Sequence, residues 1–377
     1  MRLQSLEAVG LEIPFNVAFA HASATRTATR SVWVRARGVD GTIGYGEGAP
    51  REYVTRESLA TARGFIDEHA ADWCATVVDA GALVDWATRH RTDIDVHPAA
   101  YTAVEIAILD LIGKSSLRSV ESLLGLPELD GEFTYTAVLG DTSARAFEAQ
   151  LAHYLAAGFT EYKVKLGGDA MRDRAKVAIL AASSIPPHKV RADANNLWND
   201  ADTALRALDA LAYPFCALEE PLRAGDRAGM LRIATALDCR IVLDESAVRS
   251  EQLAAYADAG DRWIANLRVS KMGGLVRSLE FVEVARRCRI PVVVGAHVGE
   301  TSVLTRAALT VASFARDILY AQEGAFGTHL LQRDVADPPV MFGHGGVLRA
   351  SALAPGAGGL GLRIAEPVPC TTALPGP

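Results

Sequence analysis

Short apolar runs recur along the middle of this chain, and each closes on a polar residue. The runs are EYKVK, KVRAD, CALE, RIVLD, WIANLRVSK and PVVVGAH, and they close on Lys165, Asp193, Glu219, Asp244, Lys271 and His297. Successive members are 28, 26, 25, 27 and 26 residues apart. One strand, one turn, one helix and one return loop take about that many residues in a (β/α) barrel. Apolar runs this short, bounded by turn residues, fit buried parallel strands. The same rhythm predicts a first strand, FTYTAVL, near Phe133 and an eighth, ILYAQEG, ending near Glu323. Between the first two strands, AFEAQLAHYLAAG has the composition of a helix that Gly158 would end. Polar groups at the C-terminal ends of successive strands surround one mouth, where barrel active sites lie.

Residues 1–125 lack this rhythm. LEAVGLEIPF and RSVWVRARGVDGTIGYGEGAP predict strands, with a turn at Gly38, Asp40 and Gly41 that contains Val39. ESLATARGFIDEHAADWCATV and PAAYTAVEIAILDLIGKSSLRSVESLLG carry apolar residues at helical spacing. In the second, Ala103, Ile106, Ala107, Asp110 and Leu111 share a stripe, and Gly113 or Gly125 would end a helix. The expected organisation is an α+β capping domain over 1–125 and a modified TIM barrel, (β/α)7β, over 126–325. A Gly- and Pro-rich segment, 326–377, would return to the cap.

Composition narrows the function. Half of the 377 residues are hydrophobic, enough for a barrel core and a second domain. A net charge of −7 argues against a nucleic-acid partner. No apolar run reaches the ~18 residues of a membrane span, and the first residues lack the signal-peptide pattern. Five scattered cysteines form neither a metal motif nor a disulfide framework. A cytoplasmic protein with no membrane partner is expected.

The closing residues carry the candidate chemistry. Asp193, Glu219 and Asp244 would stand on three adjacent strands, and three carboxylates at one mouth repel unless a cation joins them. Hard oxygen ligands without cysteine suit Mg2+. Lys163 and Lys165 are two apart on one strand, so both would point into the barrel. Mutual repulsion and burial would lower a lysine pKa towards the range of a general base. Lys271, read as the end of the sixth strand, would face Lys165 across half the barrel. Two bases on opposite faces of a substrate suit a 1,1-proton transfer.

Together these residues resemble a family. Lys163-Val-Lys165, Asp193-Ala-Asn195, Glu219-Glu-Pro221, Asp244-Glu-Ser246 and Ser270-Lys271-Met-Gly-Gly look like the enolase superfamily, in its muconate-lactonising subgroup. The resemblance also takes in GYGEGAP and AVEIAILDLIGK, and so covers nearly the whole chain. It implies Mg2+ held by Asp193, Glu219 and Asp244, with Lys165 and Lys271 as the acid/base pair and Lys163 as an electrostatic helper. A base takes the α-proton of a carboxylate substrate, and an enediolate forms. Similar proteins include dipeptide epimerases, N-acylamino acid racemases, o-succinylbenzoate synthases and muconate cycloisomerases, often assembled as homo-oligomers.

Specificity in such proteins comes partly from two cap loops, here about 15–29, with His21, Arg26 and Arg30, and 47–57, with Arg51 and Tyr53. Candidate substrate contacts are Asn195, His297, Glu300, Glu323, His21, Arg51 and Tyr53. Two departures stand out. Dipeptide epimerases carry Asp-x-Asp on the eighth strand, where this chain has Ala321-Gln322-Glu323. GAHVGETS places His297 where the lysine-pair subgroup usually has a small or sulfur-containing residue. The expected activity is racemisation or epimerisation of an amino-acid derivative, such as a dipeptide or an N-acylamino acid. Cycloisomerisation or dehydration by the same half-reaction is the alternative, and a non-catalytic metal-binding barrel a third.

Overall fold

The computed structural model describes residues 1–21, 24–324, 327–353, 358–365, 368 and 370–371, without the side chains of 17–21, 24–25, 327–328 and 370–371. The N-terminal strands are β1 (Leu3–Leu11), β2 (Pro14–His21), β3 (Ala24–Ala28), β4 (Ser31–Gly38) and β5 (Ile43–Gly48). β1, β4 and β5 pair antiparallel, and β2 with β3 forms a separate ribbon. The predicted turn closes as Gly38 N–H donates to Thr42 O, with Gly41 at φ +83°.

Helices α1 (Leu59–Thr76), α2 (Ala80–Arg89), α3 (Arg91–Val96), α4 (Pro98–Ser116) and α5 (Val120–Leu123) follow. α4 is buried from Pro98 to Gly113, which explains the IGYGEG sequence of β5. A Cβ at Gly44, Gly46 or Gly48 would lie 2.1, 2.0 or 1.9 Å from the carbonyl oxygens of Ala107, Ala103 and Ala99. Three glycines two apart thus let helix backbone lie directly on strand backbone. Two expectations for α4 are corrected. It is buried all round rather than along one stripe, because it is sandwiched between the cap sheet and the elements behind it. Gly113 sits inside it, close against Gly359, and left-handed Leu117 (φ 55°) caps it, while Gly125, the alternative, follows α5 at φ +71°.

The barrel strands are β6 (Glu132–Leu139), β7 (Tyr162–Lys165), β8 (Val190–Asp193), β9 (Ala217–Glu219), β10 (Arg240–Leu243), β11 (Trp263–Leu267), β12 (Val292–Val294) and β13 (Leu319–Glu323). All neighbours are parallel, and Gln322↔Tyr135 and Glu323↔Thr136 close the ring. Crossovers use α6 (Ala144–Ala156), α7 (Ala170–Ala182), α8 (Ala201–Leu211), α9 (Arg227–Ala236), a 3-10 segment (Ser250–Arg262), then α10 (Val269–Met272) with α11 (Leu275–Cys288), and α12 (Ser302–Phe314). As expected, Gly158 follows α6 with φ +82°. Beyond β13 come α13 (Gly327–Leu330), β14 (Val347–Arg349), antiparallel on β6, and β15 (Cys370–Thr371), antiparallel on β1.

Strand alternation sorts the barrel interior into layers. Ala217, Val242, Ile264, Val293 and Ala321 form one apolar layer. Two residues further along β9, β10, β11 and β13 come Glu219, Asp244, Asn266 and Glu323. The apolar floor and the polar mouth are therefore one periodicity read at two heights.

Candidate active site

The mouth is built from alternating charges. Lys163 Nζ lies 2.5 Å from Glu323 Oε2, 3.0 Å from Glu219 Oε2 and 3.5 Å from Asp193 Oδ2. Lys165 Nζ donates to Asp193 Oδ2 at 2.7 Å and to Asn195 Oδ1 at 2.9 Å. Arg191, the inward residue before Asp193, lies 2.9 Å from Glu323 Oε1 and donates to Thr136 Oγ1 at 2.9 Å. Asn266 Nδ2 donates to Glu219 Oε1 at 3.0 Å. Arg268 Nη2 donates to Asp244 Oδ2 and stands 3.8 Å from Glu219 Oε1.

Burial and these pairs set the charges. Burial would raise Asp193, but Lys165 and Lys163 outweigh it and hold the carboxyl at about 2. Asp244 is lowered because Arg268 and Lys271 overcome the same burial penalty. Glu219 rises to about 7, first from burial and then from the charge of Asp193. Lys163 contradicts the expected fall in lysine pKa. Its burial penalty is overcome by Glu219 and Glu323, so it is held above its ordinary value and stays an ammonium.

A cleft at this mouth is lined by Tyr53, Lys163, Lys165, Asn195, Asp244, Glu245, Arg268 and Glu323, among others. Lys271 is not in that lining. β11 stops at Leu267, and the inward series Ile264, Asn266 and Arg268 puts arginine, not lysine, at its mouth end. Lys271 lies in α10 with its side chain fully covered. It donates to Asp244 O (2.9 Å), Asp244 Oδ1 (2.9 Å) and Asn266 O (2.6 Å). The sequence spacing missed Arg268 because Lys271 kept the interval near 26, whereas the parity of WIANLR carries the signal.

Other expected contacts divide. Asn195 and Tyr53 line the cleft. Glu323 does too, but Lys163 and Arg191 hold its carboxylate. His297 is 1% exposed, its N–H and Nδ1 bound to Glu300 Oε1 at 2.7 and 3.2 Å, while Ala296 and Val298 face the cleft. β12 ends at Val294, so alternation no longer aims His297 inward. Burial, then Arg268 and Arg51, push this imidazole well below its usual pKa, so it is neutral. Burial likewise raises Glu300 to about 8. Neither side chain is placed to touch a substrate in the cleft. Arg51 is also diverted: its Nη1 donates to Arg30 O (2.9 Å) and Pro50 O (2.7 Å), and its Nη2 to Val298 O (3.0 Å). It ties cap to barrel instead of waiting for an anion. The His21 side chain lies outside the described residues.

Glu220 and Glu245, neighbours of the acidic positions, differ sharply. Glu220, in the left-handed region at φ 37°, binds the backbone beyond β10 and is fully buried. Strict strand alternation would turn Glu245 away from the barrel axis, but β10 ends at Leu243 and Glu245 lines the cleft, with Oε2 buried and unpaired. Burial and Asp244 raise it to about 7.

The donors fit a hard divalent cation. Among the described residues no three acidic, imidazole or thiol groups already stand together as a ready ligand cluster. Yet Asp193, Asp244 and Glu219 crowd one mouth: Asp193 and Asp244 raise the pKa of Glu219, and Asp193 raises that of Asp244. Oxygen ligands of this kind suit Mg2+, whose charge would remove that repulsion.

Comparison with known proteins agrees with the barrel. The chain is 24% identical over 330 residues to the N-succinyl-L-Arg/Lys racemase of Bacillus cereus, covering 86% of this chain and 87% of that protein. The crystal structure of muconate lactonizing enzyme from Pseudomonas fluorescens, complexed with muconolactone, matches with TM-score 0.83 and 25% identity over 97% of both chains. The dipeptide epimerase of Enterococcus faecalis V583, complexed with Mg and L-Leu-L-Tyr, shares the fold with TM-score 0.80 and 23% identity over 96% and 99%. The profile of the family described as Enolase C-terminal domain-like matches residues 146–368, well over half of the chain, and the chain therefore belongs to that family, as an enzyme of the enolase superfamily.

Proposed function

We propose that this enzyme abstracts the α-proton of a small carboxylate substrate through an enediolate and returns an isomer of an amino-acid derivative. The observation that carries the reading is the convergence at one cleft of Lys165, Asn195 and Asp244 with the buried carboxylates of Asp193 and Glu219. Asp193, Glu219 and Asp244 would hold Mg2+. That ion would supply the Lewis-acid charge that fixes the substrate carboxylate and favours its second negative charge. Lys165 is the base: it lines the cleft, and Asn195 and Asp193 orient its Nζ. Lys163 remains an ammonium and adds positive charge beside the developing enediolate. Tyr53, from the cap, closes the cleft over the substrate.

An N-acylated substrate fits better than one with a free ammonium. Lys163 and Arg191 already hold the Glu323 carboxylate, so it is not free to meet a substrate ammonium. A second reading keeps the half-reaction and ends in elimination, which opens a ring where the leaving group is tethered. What favours it is Arg268 at the end of β11, with Lys271 behind it. The test is a panel of N-acylamino acids, dipeptides and hydroxylated acids in D2O with Mg2+, read by mass spectrometry. Deuterium should enter at the α-carbon of at least one class and fail to enter with Lys165→Ala. A panel that never exchanges would end this reading.

A further inference from the structure

The mouth residue of β11 follows from the barrel's own register. Leu243↔Ala265 and Leu267↔Val294 fix β11 between its neighbours. Ile264 packs in the inner apolar layer, Asn266 reaches Glu219, and Arg268 reaches Asp244 and lines the cleft. The same two-residue step gives Lys163 and Lys165 on β7, and Arg191 and Asp193 on β8. Lys271 belongs to no such step. It lies in the turn of helix beyond the strand, its three ammonium donors taken by Asp244 O, Asp244 Oδ1 and Asn266 O. An ammonium has three donors and no more. Strand order places β7 and β11 half a barrel apart, so the group facing Lys165 across the cleft is a guanidinium.

We propose that Arg268 is the group this enzyme presents to the second face of its substrate, and that Lys271 is a positioning residue that holds Asp244. Proton transfer at the α-carbon then runs from the Lys165 face alone. The inference rests on the proposed half-reaction alone and decides against inversion as its ending, in favour of the second reading. The α C–H bond breaks, its proton passes to the lone pair of Lys165 Nζ, and its electron pair enters the carboxylate as an enediolate. Arg268 remains a guanidinium throughout, because that group does not deprotonate in proteins. It sits beside the growing negative charge and gives no proton to the far face. The electron pair has two outlets. The proton returns from Lys165 to the face it left, or the pair moves to the β-carbon and expels a group there, opening a ring where the leaving group is tethered. Inversion has no proton donor on the second face. Asp244, gripped by Arg268 on one oxygen and Lys271 on the other, is fixed in orientation before a ligand arrives.

Two experiments on the Mg2+-loaded enzyme test this. Reductive methylation with formaldehyde, followed by peptide mass spectrometry, reads which amines solvent reaches. Lys165 should be methylated and Lys271 protected, and comparable labelling of Lys271 would overturn its assignment. The second follows α-deuterium incorporation in D2O into both enantiomers of each panel compound. Wild type should exchange one enantiomer at least ~100-fold faster than the other, and Arg268→Lys should raise exchange of the slow one. Comparable exchange of both enantiomers by wild type would defeat the proposal. Lys271→Met should weaken Mg2+ binding by ~10–100-fold in calorimetry, as loss of a residue supporting a ligand does, and recover exchange as Mg2+ is raised. Selective loss of one enantiomer's exchange in that variant would instead mark Lys271 as a base. If no compound exchanges, the proposed function fails, while the labelling result and the Mg2+ affinity still decide where Lys271 stands.

Discussion

Glu220 holds Ser246 at two points and Asp244 at a third. Its Oε1 accepts the backbone N–H groups of Asp244 and Ser246, both at 2.7 Å, and its Oε2 accepts the Ser246 hydroxyl at 3.0 Å. The carboxyl at the end of β9 thus shapes the loop that presents Asp244 and Glu245 after β10. Glu220→Ala should leave two buried N–H groups without acceptors, at about 1–3 kcal/mol each. It should also weaken Mg2+ binding about 10–100-fold. Glu220→Gln retains the accepting oxygen and should bind nearly as wild type. Isothermal titration of both variants checks this, and equal affinities for Ala and Gln would contradict the role.

Metal removal separates the carboxylates from the lysines. EDTA should abolish α-proton exchange, and Mg2+ should restore it. Asp193→Asn and Glu219→Gln should each lose Mg2+ binding. Lys165→Ala should bind Mg2+ at least as well as wild type, because its ammonium no longer competes for Asp193. Exchange in that variant should nevertheless fall about 10²–10⁴-fold, the usual cost of a lost acid/base group. A Lys165→Ala enzyme that exchanges normally would remove lysine from the mechanism.

Most of the barrel was legible because it obeys local rules. Strand alternation and a repeat of 25–28 residues put Lys163, Lys165, Asp193 and Glu219 at one mouth, and the structure has them there. The misreadings share a cause. Alternation holds only within a strand: β10 ends just before Asp244, and β11 and β12 end four and three residues before the Lys271 and His297 that seemed to close them. Past Leu243 the chain turns and carries Glu245 into the cleft. Past Leu267 it enters α10 and takes Lys271 behind Arg268. Past Val294 it lets Glu300 capture His297. Arg51 failed for another reason: its acceptors are carbonyls at residues 30, 50 and 298, a meeting of distant loops that no local pattern encodes.

Arg51 should therefore matter to stability before specificity. Arg51→Met leaves three backbone carbonyls short of a donor, each costing about 1–3 kcal/mol where water does not replace it. Arg51→Lys should recover little, since one ammonium cannot reproduce the planar fork. Urea unfolding should show both variants destabilised. An unchanged midpoint alongside a large rise in KM would return Arg51 to direct substrate contact.

The joint between α4 and α11 should show its own pH signature. Glu105, on the cap helix, accepts the N–H of Leu275 at the start of α11, and its Oε1 is buried without a partner. Burial raises its carboxyl from 4.5 to about 8, despite the backbone N–H bonds that lower it. A raised pKa means that the folded protein holds this proton more tightly than the unfolded chain does. The resulting stability is present in full below pH ~4.5 and is lost as pH rises to about 8, at up to ~1.4 kcal/mol per pH unit. Glu105→Gln keeps an acceptor for Leu275 and cannot ionise, so it removes this loss. Relative to wild type, the variant should gain stability steadily from pH 5 to pH 8.5 in urea titrations. A difference between the two proteins that stays constant across that range would mean that Glu105 ionises in the folded protein as readily as in water.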